Sequence, residues 1–449
     1  MRNLPVAKLA FYSSCLLLVF VAGFGVRHYR VFPYSLIKGG INSVRQVYGE
    51  RETLTGKRPL NLTSPSKRPG RGVTRNRQGE TAPGLTFVTG FFDGHHEMRL
   101  LRLDGSVVHS WRARYFETFP NQDHVERDQL PKTEWNFALH GSLVLPDGSV
   151  VFNFEGLGTA KLNLCGEVQW TLPIMTHHSV EPSPDGGFWV PGMDIVTKSS
   201  PFPLLKPPYT HDKILKVSPD GKVLKEISTL NLFFKNDLLG VLLSNSMTRA
   251  KLSSRDITHL NDIEELDARM ARSFPQFRPG DLLVSLRNLN LVLVLDPETE
   301  VVKWHQTGPW LKQHDPDFLP SGKISVVNNN DDGTDEGSIL GGSRILEVDP
   351  ATGDTADRYG SMPGQKWYTF RRGKHQYLPN GNVLITDSES GRVIEVNKQG
   401  EIVWEFINRF DDQYVAILSG AIRYEEDYFK VKDWSCGTIV RDTPAKSEE

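Results

Sequence analysis

Four histidines recur in phase along this chain. With the glycine of each following hairpin turn set as zero, His140, His178 and His314 all stand eight residues ahead, at Gly148, Gly186 and Gly322. His259 opens a similar unit, although the insertion DARMARSFPQFRP separates it from Gly280. A neutral imidazole can attack an electrophile or take a proton, and a charged one can return the proton or hold an oxyanion. Four of the thirteen histidines at one repeat position therefore suggest a ring that does chemistry together. Cations stand nearby in sequence: Arg287 in VSLRNLN, and Arg371 and Arg372 just ahead of His375. An arginine beside imidazoles suits an oxyanion, a sulfate or a phosphate group. His375 lies six residues before Gly381, with Gly373 in the ring position. A shift of two keeps the strand face and moves the side chain roughly 6–7 Å along it, so His375 is expected deeper in the same channel. Asn328 and Asn329 end the strand that follows His314 and are read as substrate contacts.

The elements that must hold these residues are short β-type runs separated by PDG, PSG and PNG turns, and the runs repeat. Units beginning at His140, His178, His259, His314 and His375 each read as strand, turn, strand, link, strand, turn, strand. That is the pattern of a four-stranded propeller blade, whose innermost strand lines the central channel. Gly84 to Trp111 supplies three strands of a further blade without its first strand, and GAIRYEEDYFKV from Gly420 is expected to provide it. Closing the ring in this way removes open sheet edges. The fold class is thus all-β, a six-bladed β-propeller with an N-terminal transmembrane or signal-anchor helix, and with helical or loop insertions at Arg112–Ala138 and Thr229–Thr258. Trp111, Trp170, Trp304 and Trp404 close the last strand of their units and are read as filling between sheets.

Composition narrows the function classes. A formal net charge of −2 over 449 residues argues against general nucleic-acid binding, and no phosphate-binding or dinucleotide glycine motif is present. The reading calls for no cofactor and no metal. Of three cysteines, Cys15 lies in an apolar segment, and a single bridge could join Cys165 and Cys436, a pairing the sequence leaves open. Leu9 to Val26 is uncharged and mostly apolar after Arg2 and Lys8, the mark of a membrane span or a signal core. Residues 1–34 are read as an anchor or signal, 35–83 as a flexible basic linker rich in Pro and Gly, and 84–449 as the propeller. The expected setting is single-pass anchorage with the propeller on the extracytoplasmic side, or release to the periplasm after cleavage.

With these motifs in view, the chain resembles the bacterial arylsulfotransferase family. QHDPDFLPSGKISVVNNN looks like the family's QH segment ending in FDN, with Val327, Asn328 and Asn329 in place of that ending. HLNDIEEL followed by VSLR is similar to its HxN segment and downstream S-x-R, and LPNGNVLITDSESGRVIEVNKQGEIVWEF to its last blade. The resemblance covers most of Gly84 to Tyr428. It implies a six-bladed propeller that moves a sulfuryl group from an aryl sulfate to a phenol, without a nucleotide sulfate donor, through a sulfohistidine. His314 would be the nucleophile, and His178, His259 and Arg287 would bind sulfuryl oxygens and assist proton transfer. His140, Asn328, Asn329, Arg371, Arg372 and His375 complete the expected site. The partners implied are small aryl sulfates and phenols, with the membrane met through the N-terminal helix. Two other readings compete: a metal-dependent hydrolase or lyase built on the histidine ring, and a tethered propeller that binds a ligand or protein.

Overall fold

The computed structural model describes residues 6–29, 31–34, 38, 51–127, 129–244 and 256–436. The chain divides into two units, Met1–Asn61 and Leu62–Glu449. In the first, Val6–Tyr29 forms one helix, of which 22 residues, Lys8–Tyr29, are long and apolar enough to cross a membrane and are not buried. At 1.5 Å per residue that stretch spans about 33 Å, close to the hydrocarbon thickness of a bilayer.

The second unit is a six-bladed β-propeller. Blade 2 runs outward as Leu139–Val144, Val150–Phe154, Gly158–Leu162 and Val168–Leu172, all antiparallel. Blades 3 to 6 repeat the order, with inner strands Glu181–Pro182, Leu260–Glu265, His314–Phe318 and Lys374–Tyr377. Blade 1 takes its three outer strands from Leu85–Phe92, His95–Leu101 and Val107–Arg112, and its inner strand from Leu418–Tyr424. The ring therefore closes between chain segments more than three hundred residues apart, as the missing first strand requires.

Why these residues make blades is visible at the turns. Gly148, Gly186, Gly322 and Gly381 sit at φ 79, 84, 80 and 84°, and each donates its N–H three residues back, closing the inner hairpin. Six apolar cores then fill the six wedges between neighbouring sheets. Trp111 and Trp404 are buried in two of these wedges, while Trp170 and Trp304 lie half-buried at the rims of two others. In the insertion after blade 3, helices Thr229–Lys235 and Leu239–Ser244 add Leu230, Leu232, Phe233 and Leu242 to one core. The insertion after blade 1 contains one short helix, Tyr115–Thr118.

The segment read as a linker over 35–83 differs in its second half. Thr63–Pro65 pairs with Tyr414–Ala416, and Gly72–Asn76 adds a fifth strand to the outer edge of blade 6. A polar strand suffices there because a blade's outer edge offers unpaired backbone groups rather than an apolar face. Thr74 donates to Glu405 at 2.6 Å and Arg75 to the Ile402 carbonyl at 3.1 Å. Of the first half, residues 35–37 and 39–50 lie outside the described residues.

Cys165 and Cys436 are joined by a disulfide that encloses 271 residues of chain separation. It fastens the segment after the closing strand to the turn before the outer strand of blade 2. Tyr428 donates to the Val144 carbonyl and Lys430 to that of Pro146 along the same path.

Candidate active site at the channel mouth

Four segments that open blades 2 to 5 carry His140, His177, His178, His259 and His314 to one place. The His178 ring is the hub, with centroids 4.4 Å from His140, 4.7 Å from His259 and 6.1 Å from His314. The local backbone is shaped for this. Pairing register slips just beside His140, after His259 and after His314, between Leu139 and Ser142, Leu260 and Asp262, and His314 and Asp317. Such bulges re-aim a side chain out of the regular alternation. The inner strand of blade 6 has no slip, with His375 paired squarely to Ile385, so its histidine stays with the strand and out of the cluster.

His178 and His259 adopt φ 53 and 54°, a region that costs a β-carbon-bearing residue on the order of 1–3 kcal/mol unless its surroundings compel it. They do. Asn153 donates to the carbonyls of His177, His178 and Ser179, each at 3.1 Å, and Gly141 donates to His178 at 2.5 Å. Gly141 has to be glycine, since a Cβ there would lie 2.1 Å from that carbonyl oxygen. Arg287 and Asn288 in turn donate their backbone N–H groups to the carbonyls of His259 and Thr258.

His314 is 3 % exposed. Its Nδ1 meets the Asn329 carboxamide oxygen at 2.7 Å, and the orientation of that amide is set because its nitrogen donates to the carbonyls of Thr369 and Arg372 at 2.8 and 2.5 Å. An amide oxygen only accepts, so Nδ1 carries the proton and Nε2 keeps its lone pair. That Nε2 is buried and has no hydrogen-bond partner among the described residues. Burial, and then the positive charge of Arg287, push the His314 pKa well below 6.5, so the ring is neutral at physiological pH.

Arg287 is mostly buried, donates to the Phe370 carbonyl at 3.1 Å and lies 3.6 Å from Asp331, while its Nε has no partner among the described residues. Beside it, Lys312 donates to the Asn288 side-chain oxygen at 2.9 Å, an oxygen that Arg287 also reaches at 3.4 Å. Burial and Arg287 both lower the Lys312 pKa. Two cations drawn to one amide oxygen, with a buried donor left over, make a cradle for an anion.

The other sequence-derived residues fall in three places. His140 and Arg372 join the cluster: His140 Nδ1 lies 3.7 Å from Glu155, and Arg372 is close enough to lower the pKa of both groups. Burial first, opposed by Glu155, takes His140 down to about 4. Arg371 lies at its edge, near enough for its charge to act on Arg287. Its guanidinium is exposed and stacks on the Phe370 ring at 4.6 Å. Asn328 is turned into the backbone, its side-chain oxygen accepting from Leu311 and Asn330 at 2.9 and 3.0 Å, so it shapes the loop. His375 lies lower, bonded to Asp315 at 3.0 Å and Ser325 at 2.7 Å. There it borders a charged floor in which Lys374 reaches Asp315, Glu181 and Asp262 at 2.8, 3.3 and 3.9 Å.

Five participants had gone unread in the sequence: Glu155, His177, Asp212, Asp256 and Lys312. His177 had a signal, standing next to His178. The carboxylates had none, because they come from segments outside the inner strands. Among the described residues, two groupings bring donor atoms within 4.8 Å of one another, His140 with Glu155 and His178, and Asp315 with Asp317 and His375. In each, one histidine is already hydrogen-bonded at both nitrogens, His178 to His177 and His259, His375 to Asp315 and Ser325.

No curated protein matches the chain. Among solved structures, a protein of unknown function from Bacteroides caccae is similar at 14 % identity and a TM-score of 0.47, covering 75 % of this chain and 99 % of that one. A catalytically inactive virginiamycin B lyase from Staphylococcus aureus with quinupristin is similar at 11 % identity and a TM-score of 0.40, covering 77 % and 91 %. A streptogramin B lyase gives 12 % and 0.40, covering 77 % and 86 %. The family model described as Arylsulfotransferase (ASST) matches residues 141–409, well over half of the chain. That match takes in His178, His259, Arg287, His314 and Asn329, and with it the chain belongs to the arylsulfotransferase family.

Proposed function

We propose that this protein transfers a sulfuryl group from an aryl sulfate to a phenolic acceptor through a covalent intermediate on His314. The observation that carries the reading is the His314 Nε2 lone pair, buried, unpartnered among the described residues and fixed in tautomer by Asn329. Nε2 attacks sulfur, the bond from sulfur to the aryl oxygen breaks, and a phenol leaves. A second phenol then takes the sulfuryl group from nitrogen, so one hard transfer becomes two easier ones. Negative charge on the peripheral sulfuryl oxygens is met by Arg287, and His178 and His259 assist the proton transfers. Arg372 and His140 border the same space, and Asn329 acts through His314.

The family assignment favours this chemistry over a metal hydrolase or a simple binding propeller. The N-terminal helix is proposed as a single-pass tether that leaves the propeller outside the cytoplasm. The disulfide supports that placement, because such bonds persist in oxidising compartments.

The test incubates the full-length protein with an aromatic sulfate ester and a panel of phenols. Wild type should form the new aryl sulfate, and intact-mass analysis with donor alone should show one sulfuryl adduct, mapped to His314. His314→Ala should lose both signals, and Arg287→Ala should lower kcat/KM by about 100-fold or more. Normal transfer by His314→Ala would refute the mechanism.

A further inference from the structure

Sulfuryl transfer between phenols is proton-neutral overall but not in its halves. When Nε2 of His314 bonds to sulfur and the S–O bond breaks, the departing phenolate takes up a proton. When the acceptor's O–H breaks, its oxygen bonds to sulfur and the N–S bond breaks, the proton comes back. The enzyme must hold one proton fewer while the sulfohistidine exists. His314 cannot be the source, because its single proton faces Asn329.

The structure contains a row of groups built for this exchange. His259 Nδ1 is hydrogen-bonded to Asp256, so it carries a proton and leaves Nε2 as an acceptor. His178 Nε2 lies 3.2 Å from that nitrogen and must donate. A neutral His178 then accepts at Nδ1, which lies 2.8 Å from His177 Nδ1, so His177 donates there. The other nitrogen of His177 lies 3.5 Å from Asp212, a carboxylate 1 % exposed that also accepts from Thr258 at 2.5 Å and from the Leu260 N–H at 2.9 Å. Hydrogen bonds place three protons on these rings; His177 Nε2 has no hydrogen-bond partner among the described residues but faces the Asp212 carboxylate at 3.5 Å, which favours a fourth proton there. The surplus proton is then assigned to His177, beside Asp212.

We propose that the Asp212–His177 pair is the proton store of the transfer reaction, lending its proton through His178 to the leaving oxygen and recovering it from the acceptor. This rests on the sulfohistidine reading above. His177 is a positioning and supply residue. His178 delivers from Nε2, whose N–H leaves His259 Nε2, 3.2 Å away at rest, for the leaving oxygen as its Nδ1 takes the proton of His177. The charges that face His177 agree with the assignment. Burial works against its positive form, but Asp212, Glu155 and Asp256 outweigh it and raise the pKa, while burial and the surrounding histidines hold His178 well below 6.5.

His177→Gln and Asp212→Asn, assayed in the full-length protein, test the store through the leaving group. A donor whose phenol is strongly acidic needs little protonation as it leaves, and one whose phenol is weakly acidic needs much. The variants should retain most activity with nitrophenyl sulfate and lose about 100-fold in kcat with the unsubstituted phenyl ester, with KM little changed. Wild-type kcat on the phenyl ester should fall as pH rises through the raised value of His177, and Asp212→Asn should move that fall to lower pH. Histidine ¹⁵N NMR of the resting protein, followed through a pH titration, should show one ring that keeps both protons above the pH at which an ordinary histidine loses one, and Asp212→Asn should remove it. Equal losses with both donors, or a histidine titration that Asp212→Asn leaves unchanged, overturn the store and leave the His314 mechanism standing. No transfer by wild type with any donor overturns both.

Discussion

At the scale of single residues, the site depends on which nitrogen of each imidazole bears a proton. Asn329 decides this for His314, and it can do so only because Thr369 and Arg372 fix its amide. Asn329→Leu keeps the volume and removes the acceptor. The ring is then free to place its proton on Nε2, and kcat should fall by about 100-fold or more with KM little changed, as measured in the transferase assay. The His314 pKa also sets an expected acid limb. A nucleophile needs its neutral form, and burial and Arg287 hold the pKa well below 6.5, so formation of the intermediate should persist below pH 6 instead of failing near the usual value. Rapid-quench measurement of the donor-only adduct against pH checks this. An adduct rate that halves near pH 6.5 would mean that the ring is not buried as described.

At the scale of elements, spacing in the sequence conveyed more about the blades than about the site. The eight-residue interval to the turn glycine located His140, His178 and His314 because hairpin chemistry is local. The bulges beside His140, His259 and His314 leave no compositional trace, since any residue can be the extra one, yet they turn these side chains into one cluster. Asp212 and Asp256 were illegible for another reason: they arrive from a third strand and an insertion, and only tertiary packing brings them to histidines. A sequence cannot say whether a polar side chain turns to the channel, the backbone or the solvent: the Asn328 oxygen accepts from backbone N–H groups, and Arg371 stacks on Phe370. Gly141→Ala tests the local geometry. Its methyl would strike the His178 carbonyl, so the variant should lose about 10-fold or more in activity while the far-UV spectrum stays that of a β protein. The disulfide stabilises a different element, the segment after the closing strand. Replacing both cysteines with serine should cost about 2–5 kcal/mol by urea titration.

At the scale of the whole molecule, the inner strands converge on a charged floor in which Asp262 and Asp315 are buried and Lys374, Glu181, Glu264 and Asp317 are half-buried. Burial and mutual repulsion hold Asp262, Glu264 and Asp317 well above the ordinary carboxylate range. Lys374 goes the other way: burial opposes its charge, but Asp315, Glu181 and Asp262 hold its pKa well above 10.5. Its contribution is therefore complete below about pH 10 and is lost only as pH rises through the raised value. The raised acids, by contrast, favour the fold when protonated, an advantage that fades as pH climbs from their unfolded to their folded values. Lys374→Met should cost about 3–5 kcal/mol, with a larger loss at pH 8 than at pH 5, where protons replace the missing cation. Urea midpoints at the two pH values measure the difference. The closing strand, Leu418–Tyr424, is synthesised after every residue assigned to the site, and blade 1 has no inner strand until it arrives. Activity thus certifies a finished chain: a product cut short before Leu418 would contain every histidine of the cluster and still present an open sheet edge to quality-control factors instead of a reaction chamber.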